Sequence, residues 1–233
     1  MDTLAWSDHF HELRKRCFII VGFWLAASLV LYSLSGTEHI LRWALAPLQE
    51  VCPRDTVLAR TLWDAFFTHL TLALWGGGVM TLPVFLWQTW QFIKPALFPH
   101  ERPFFLFCLA LSVMFGSLGL VIAYTWMMPK AWAFFLSFYA PPLHLWAGLN
   151  EYMKAFFTIL LGMAASFQMP VLMILSWKLG WIPPRKKAIL AISTFSAIIT
   201  PPDWFSPIAL TGILYSFYEI LRYILQTWDQ KSG

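Results

Sequence analysis

Long apolar runs, broken by short polar or proline-rich stretches, dominate this 233-residue chain. The runs are continuous rather than alternating, and continuous runs of this length argue for helices. Several approach the ~20 residues that a helix needs to cross ~30 Å of hydrocarbon. Backbone groups inside lipid have to bond one another, so helices or a closed barrel are the choices, and the missing two-residue period speaks against a barrel. The pattern predicts six spans, at about 17–35, 65–92, 104–128, 155–177, 187–200 and 204–225. Residues 36–64 read as a long outer loop with Pro47 and Pro53, and 129–154 as a second outer loop in which Pro129 stops the third span. Leu4, Trp6, Phe10 and Leu13 are spaced for a helix face, so residues 1–16 read as an interfacial lead-in helix. The expected fold is all-α: one polytopic membrane domain over 1–233, with six transmembrane helices.

The last two spans are short. Fifteen uncharged residues separate Lys187 from Asp203, about 22 Å of helix at ~1.5 Å per residue. That is less than the ~30 Å hydrocarbon core. The expectation is a locally thinned bilayer, with Asp203 near a sagging outer leaflet.

Composition sharpens this picture. The chain is 59% hydrophobic and 12% charged, with mean hydropathy +0.62, whereas a soluble domain carries about 25% charged residues. The formal charge of +4 reports loop bias, not nucleic-acid binding. With six spans, one side holds Arg14, Lys15, Arg16, Lys94, Arg102, Lys178, Arg185, Lys186, Lys187, Arg222 and Lys231. The other side holds Arg42, Arg54, Arg60, Lys130 and Lys154. The excess of Lys and Arg puts both termini in the cytoplasm. Cys17, Cys52 and Cys108 have no CxxC spacing, so neither a disulfide framework nor a metal site is indicated. Arg14, Lys15 and Arg16 precede the first apolar run as in a signal peptide, but no small-residue cleavage site follows, so the run is expected to be retained.

Candidate chemistry is sparse. HExxH, GxSxG and Walker motifs are absent. Gly76-Gly77-Gly78 lies mid-span and reads as a close helix approach. Gln168, preceding Pro170, is the main polar residue within the fourth span, and its simplest role is a hydrogen bond to a neighbouring helix. Glu219 and Arg222, at i,i+3, most simply neutralise each other. The most informative stretch is 82–104, LPVFLWQTWQFIKPALFPHERPF, an aromatic belt followed by a charged turn, as a membrane–water interface selects. It carries Glu101; Glu12 lies before the first span, on the same side. Two carboxylates can hold two adjacent arginines of a peptide through bidentate bonds. On residue chemistry alone local pairing prevails, Glu12 with Arg16 and Glu101 with Arg102 or water, since such surface pairs are common and weak.

An ordered set of motifs resembles the TatC family, the receptor subunit of the twin-arginine protein translocase. His9-Phe10-His11-Glu12-Leu13-Arg14-Lys15-Arg16 resembles HLxELRxR. Pro47 falls at the family's outer-loop proline, and Phe66-Phe67-Thr68 resembles FFT. Leu82-Pro83, Gln88, Trp90, Phe92, Pro95, Leu97 and Glu101-Arg102 resemble LPxxxxQxWxFxxPxL followed by ER. Tyr124 and Pro129 fit the end of span three, Phe167-Gln168-Met169-Pro170-Val171 resembles FExPV, Thr200-Pro201-Pro202-Asp203 with Ser206 resembles TPPDxxS, and Tyr218-Glu219 closes the set.

The resemblance implies a concave, glove-like bundle that binds twin-arginine signal peptides of folded proteins at the cytoplasmic face. Glu12 and Glu101 then read the arginine pair, joined by Arg14 and Phe92. Pro47, Gln168, Asp203 and Glu219 become structural or partner-contact residues. Implied partners are TatA, TatB, other TatC copies and the lipid bilayer, with no nucleic acid, no cofactor and no enzymatic activity. Transport draws on the proton gradient, and the expected site is a bacterial inner membrane, with an organellar membrane as the alternative. The chain departs from the pattern at Gln168, usually glutamate, and at Thr71, Lys187, Pro207 and Ile213, usually lysine, tyrosine, glutamine and proline. The competing readings are a small-solute transporter or channel, which needs a polar path through the midplane, and a membrane-embedded enzyme, for which no constellation is present.

Overall fold

The computed structural model describes residues 2–34, 36–51, 61–138, 148–178, 180–181, 183–200 and 205–232. Among these the regular structure is helical: α1 Asp2–Ser33, α2 Gly36–Val51, α3 Leu62–Ile93, α4 Arg102–Ile122, α5 Met128–Leu136, α6 Leu149–Ser166, α7 Met169–Lys178, α8 Arg185–Ile199 and α9 Phe205–Ser232. Five segments are long and apolar enough to cross a membrane: His11–Ser33, Trp63–Ile93, Arg102–Leu136, Leu149–Lys178 and Phe205–Thr227. The fold is all-α and polytopic, as the apolar runs predict. With 15 residues, α8 reaches about 22 Å at ~1.5 Å per residue, the short fifth segment of the expectation.

Three expectations are corrected. The lead-in helix and the first span are one continuous helix, α1. Much of the expected outer loop is α2, whose Thr37, Ala44 and Leu48 are buried while Trp43 is exposed. Pro129 does not stop the third span. A wider π turn at Ala123–Met127 leads into α5, in which Pro129 takes an initial position. Proline lacks an N–H and its ring crowds the carbonyl four residues back. The π turn bonds five residues back, with the Met128 N–H donating to the Ala123 carbonyl, which accommodates that clash.

The chain divides into two compact units. The first comprises Met1–Ala46, Leu58–Leu106 and Gly148–Asn150. Within it α1 and α3 run antiparallel, since Arg16 meets Gln88 while Ser28 lies against Gly77. Gly77 permits this approach: a Cβ there would stand 2.2 Å from Ser28 Oγ and 2.8 Å from Ser28 N. The Trp24 Nε1–H donates to the Leu74 carbonyl at 2.8 Å. A capping box starts α3: the Asp64 N–H donates to Thr61 Oγ1 at 3.2 Å and the Thr61 N–H to Asp64 Oδ2 at 3.1 Å.

The second unit comprises Pro47–Val57, Phe107–Ala147 and Glu151–Gly233. Tyr152, Phe156 and Met163 of α6 are buried in its core, and Phe217 of α9 meets Phe115 and Phe167 with centroids 5.6 and 6.0 Å away. The fourth span breaks at Phe167–Gln168, because Pro170 has no N–H to donate to the carbonyl of Ser166. Gly180, at φ 76°, closes α7, a conformation that glycine adopts without a Cβ penalty.

Candidate functional site

The motif before the first span becomes a hydrogen-bonded cluster in the first unit. Glu12 and Arg16 lie one turn apart on α1, hence on one face. Arg16 donates from Nε and Nη2 to Glu12 Oε1 at 3.2 and 2.5 Å, and from Nη1 to Gln88 Oε1 of α3 at 3.0 Å. The Arg16 side chain is 19% exposed and that of Glu12 36%, so the carboxylate is the more accessible partner. Arg16 thereby orients Glu12 and ties the middle of α1 to α3 near the end of α3.

Glu101 sits at the start of α4. Its carbonyl accepts from the Phe105 N–H at 3.1 Å, and its Oε2 accepts from the Phe98 N–H at 3.2 Å. The side chain thus closes the turn that the prolines begin, and it does so through Phe98, not through Arg102. Phe98 stacks on His100 at 5.8 Å, and Trp90 on Phe105 at 6.1 Å. Glu101 follows α3 in sequence and Gln88 lies toward the end of α3. Glu12 and Glu101 therefore sit toward the same end of the α1–α3 pair, in one unit.

Phe92 is half-buried in the last turn of α3. Arg14 turns away from the cluster: it is exposed, and its Nη2 lies 3.3 Å from His11 Nδ1. Arg16 and Gln88 are the residues that sequence reasoning did not place in the site, although both stand inside the quoted motifs. The i,i+4 spacing of Glu12 and Arg16 pointed to the first.

The remaining residues belong to the second unit, except Asp203, which lies outside the described residues. Gln168 sits at the helix break and makes two bonds with α4. Ser112 Oγ donates to Gln168 Oε1 at 2.7 Å, and Gln168 Nε2 donates to the Ser112 carbonyl at 3.0 Å. Gln168→Leu is expected to cost ~1–3 kcal/mol, since it strands the Ser112 partners in an apolar setting. Thermal melts in detergent measure this, and an unchanged midpoint contradicts it. Pro47 is fully buried within α2.

The pairing expected between Glu219 and Arg222 is corrected. Glu219 instead accepts from Arg185 Nε and Nη2 at 2.9 and 3.0 Å and from Tyr215 Oη at 2.8 Å. The Glu219 hydrogen bond raises the Arg185 guanidinium pKa above its ordinary value. Arg222 Nη1 donates to Tyr218 Oη at 2.6 Å, and that hydroxyl donates to the Pro183 carbonyl at 2.7 Å. A longer reach across α8 and α9 wins over the i,i+3 neighbour because the Arg185 fork matches the carboxylate with two bonds. Tyr218 is fully buried, so Tyr218→Phe, which leaves the Pro183 carbonyl unmet, is expected to cost ~1–3 kcal/mol. A denaturant or thermal midpoint equal to wild type contradicts this. Among the described residues no group of three His, Cys, Asp or Glu is placed to hold a metal ion.

The family model for "Sec-independent protein translocase protein (TatC)" matches residues 8–212. The chain belongs to the TatC family. A TatC from Magnetococcus marinus is 31% identical over 220 residues, covering 91% of this chain and 80% of that protein. The TatC of Escherichia coli is 27% identical over 227 residues, covering 94% and 87%. Two crystal structures of the twin arginine translocase receptor TatC are similar in fold. One has TM-score 0.71 and 26% identity over 94% of this chain and 98% of that one. The other, in the detergent DDM, has TM-score 0.73 and 25% identity over 93% and 98%. As a TatC, the chain is a membrane component of a Sec-independent translocase, a multi-pass protein of the inner membrane and not an enzyme.

Proposed function

We propose that this TatC is the receptor for twin-arginine signal peptides, with Glu12 and Glu101 each gripping one guanidinium of the arginine pair. The observation that carries this reading is their common end of the α1–α3 pair, set by the Arg16–Gln88 bond. Both carboxylates are partly exposed and lean on hydrogen bonds from their own surroundings. Such groups meet a guanidinium with little reordering, and charge-assisted bidentate bonds are the strong ones. Phe92 offers an apolar contact beside that end, whereas Arg14 faces away and acts at most through long-range charge.

In this reading the chain is one membrane domain of six spans, glove-shaped, with both termini in the cytoplasm and α8 as the short fifth span. It assembles with TatA, TatB and other TatC copies, and the proton gradient drives transport. The excess of Lys and Arg on the Glu12 side supports the orientation.

Site-specific photo-crosslinking tests the proposal. A photoreactive residue at Phe98, beside Glu101, is expected to capture a twin-arginine precursor in membranes, and a twin-lysine precursor far less. Equal capture of both precursors overturns the reading.

A further inference from the structure

Residues 11–19 of α1 carry two neighbouring faces. Glu12 and Arg16 face α3, where Arg16 meets Gln88. His11, Arg14, Lys15 and Phe18 recur at i, i+3, i+4 and i+7, which places them together on another face. With Ile19 they line an open concavity of about 590 Å³. Arg14 and Lys15 are exposed, Phe18 is 70% exposed and Ile19 43%. The lining holds no acid, the neighbouring Glu12 carboxylate is engaged by Arg16 on the α3 side, and among the described residues Lys15 makes no ion pair.

We propose that this concavity is a binding site for an anionic phospholipid, with Arg14 and Lys15 around the headgroup phosphate and Phe18 and Ile19 against the first acyl methylenes. The axial order carries the choice of occupant. Phe18 and Ile19 lie four residues beyond Arg14 and Lys15, about 6 Å along a helix rising ~1.5 Å per residue. That is the order of phosphate above hydrocarbon in a leaflet, and the chain turns from charged to apolar at this same level. Free phosphate would use the cations but leave the apolar floor without a purpose. A zwitterionic lipid carries its own cation beside the phosphate and would gain little from Arg14 and Lys15, whereas an anionic headgroup gains from both. Long Lys and Arg stems also reach upward along apolar surface while their heads stay in the headgroup layer. The site borders the peptide reading without sharing its carboxylates: Arg14 and Phe18 project away from Glu12, while Lys15 stands one turn from it.

The test uses the full chain in mild detergent, offered equimolar phosphatidylglycerol and phosphatidylcholine, with bound lipid read by native mass spectrometry. The wild type is expected to retain phosphatidylglycerol in preference. Lys15→Gln is expected to lower that retention about fivefold, equivalent to the ~1 kcal/mol that one cation contributes near an anionic surface. Lys186→Gln removes the same charge at the start of α8 and is expected to change nothing. Equal loss in both variants overturns the proposal in favour of bulk charge. No preference for phosphatidylglycerol overturns it, and so does its displacement by millimolar inorganic phosphate. A phosphatidylglycerol analogue with a photoreactive group beside the phosphate supplies a second readout, independent of the variants. It is expected to label residues 11–19, and labelling that avoids them overturns the site.

Discussion

Glu101→Gln is expected to weaken capture of a twin-arginine peptide about 10- to 100-fold, the equivalent of the ~1.5–3 kcal/mol carried by a hydrogen bond to a charged group. Glutamine is the informative replacement because its side-chain oxygen still accepts from the Phe98 N–H, the bond that Glu101 Oε2 makes now. The turn before α4 is therefore kept while the charge is removed. Glu12→Gln is expected to act at least as strongly. It removes a recognition carboxylate, and it leaves the Arg16 guanidinium without its counter-charge beside an incoming cation. Peptide titration by fluorescence anisotropy on purified variants measures both effects. Wild-type affinity in either variant contradicts the assignment of that carboxylate.

Gly77→Ala is expected to be the most damaging small substitution in the first unit. The added Cβ would lie 2.2 Å from Ser28 Oγ, 2.8 Å from Ser28 N and 2.9 Å from Ser28 Cα. The hydroxyl can rotate away, but the backbone atoms cannot, so α1 and α3 have to part. Overpacking of this kind costs ~1–3 kcal/mol and occasionally more. Parting the helices also pulls Arg16 from Gln88, so peptide binding should fall together with stability. Gly22→Ala is the control: nothing lies within 4 Å of its Cβ position, and alanine favours helix over glycine by ~1 kcal/mol. A Gly77→Ala protein that melts with the wild type, or a Gly22→Ala protein that melts as early as Gly77→Ala, contradicts the packing argument.

The helices were legible because continuous apolar runs have one structural outcome in lipid. Their punctuation was harder to read. Pro129 follows the ordinary rule for a helix stop, and only a π turn, which leaves no mark in hydrophobic periodicity, lets α4 continue into α5. Pro47 made residues 36–51 look like loop, although Thr37, Ala44 and Leu48 fall at helical intervals and are the buried positions of α2. In the site, the motif spacing led to Glu12, Glu101 and the local Glu12–Arg16 pair. It did not lead to Gln88, because a contact between residues 72 apart is a product of the Gly77 crossing and not of any local pattern. The partner of Glu219 escaped for the same reason: Arg185 is 34 residues away on another helix.

Each carboxylate is proposed to answer one arginine. Twin-arginine and twin-lysine versions of one signal peptide, titrated against wild type, Glu12→Gln, Glu101→Gln and the double variant, test it most directly. Lysine is expected to bring a large penalty in the wild type, a smaller one in each single variant, and almost none when both carboxylates are gone. A penalty that stays the same in all four proteins would show that these two residues do not read the arginine pair.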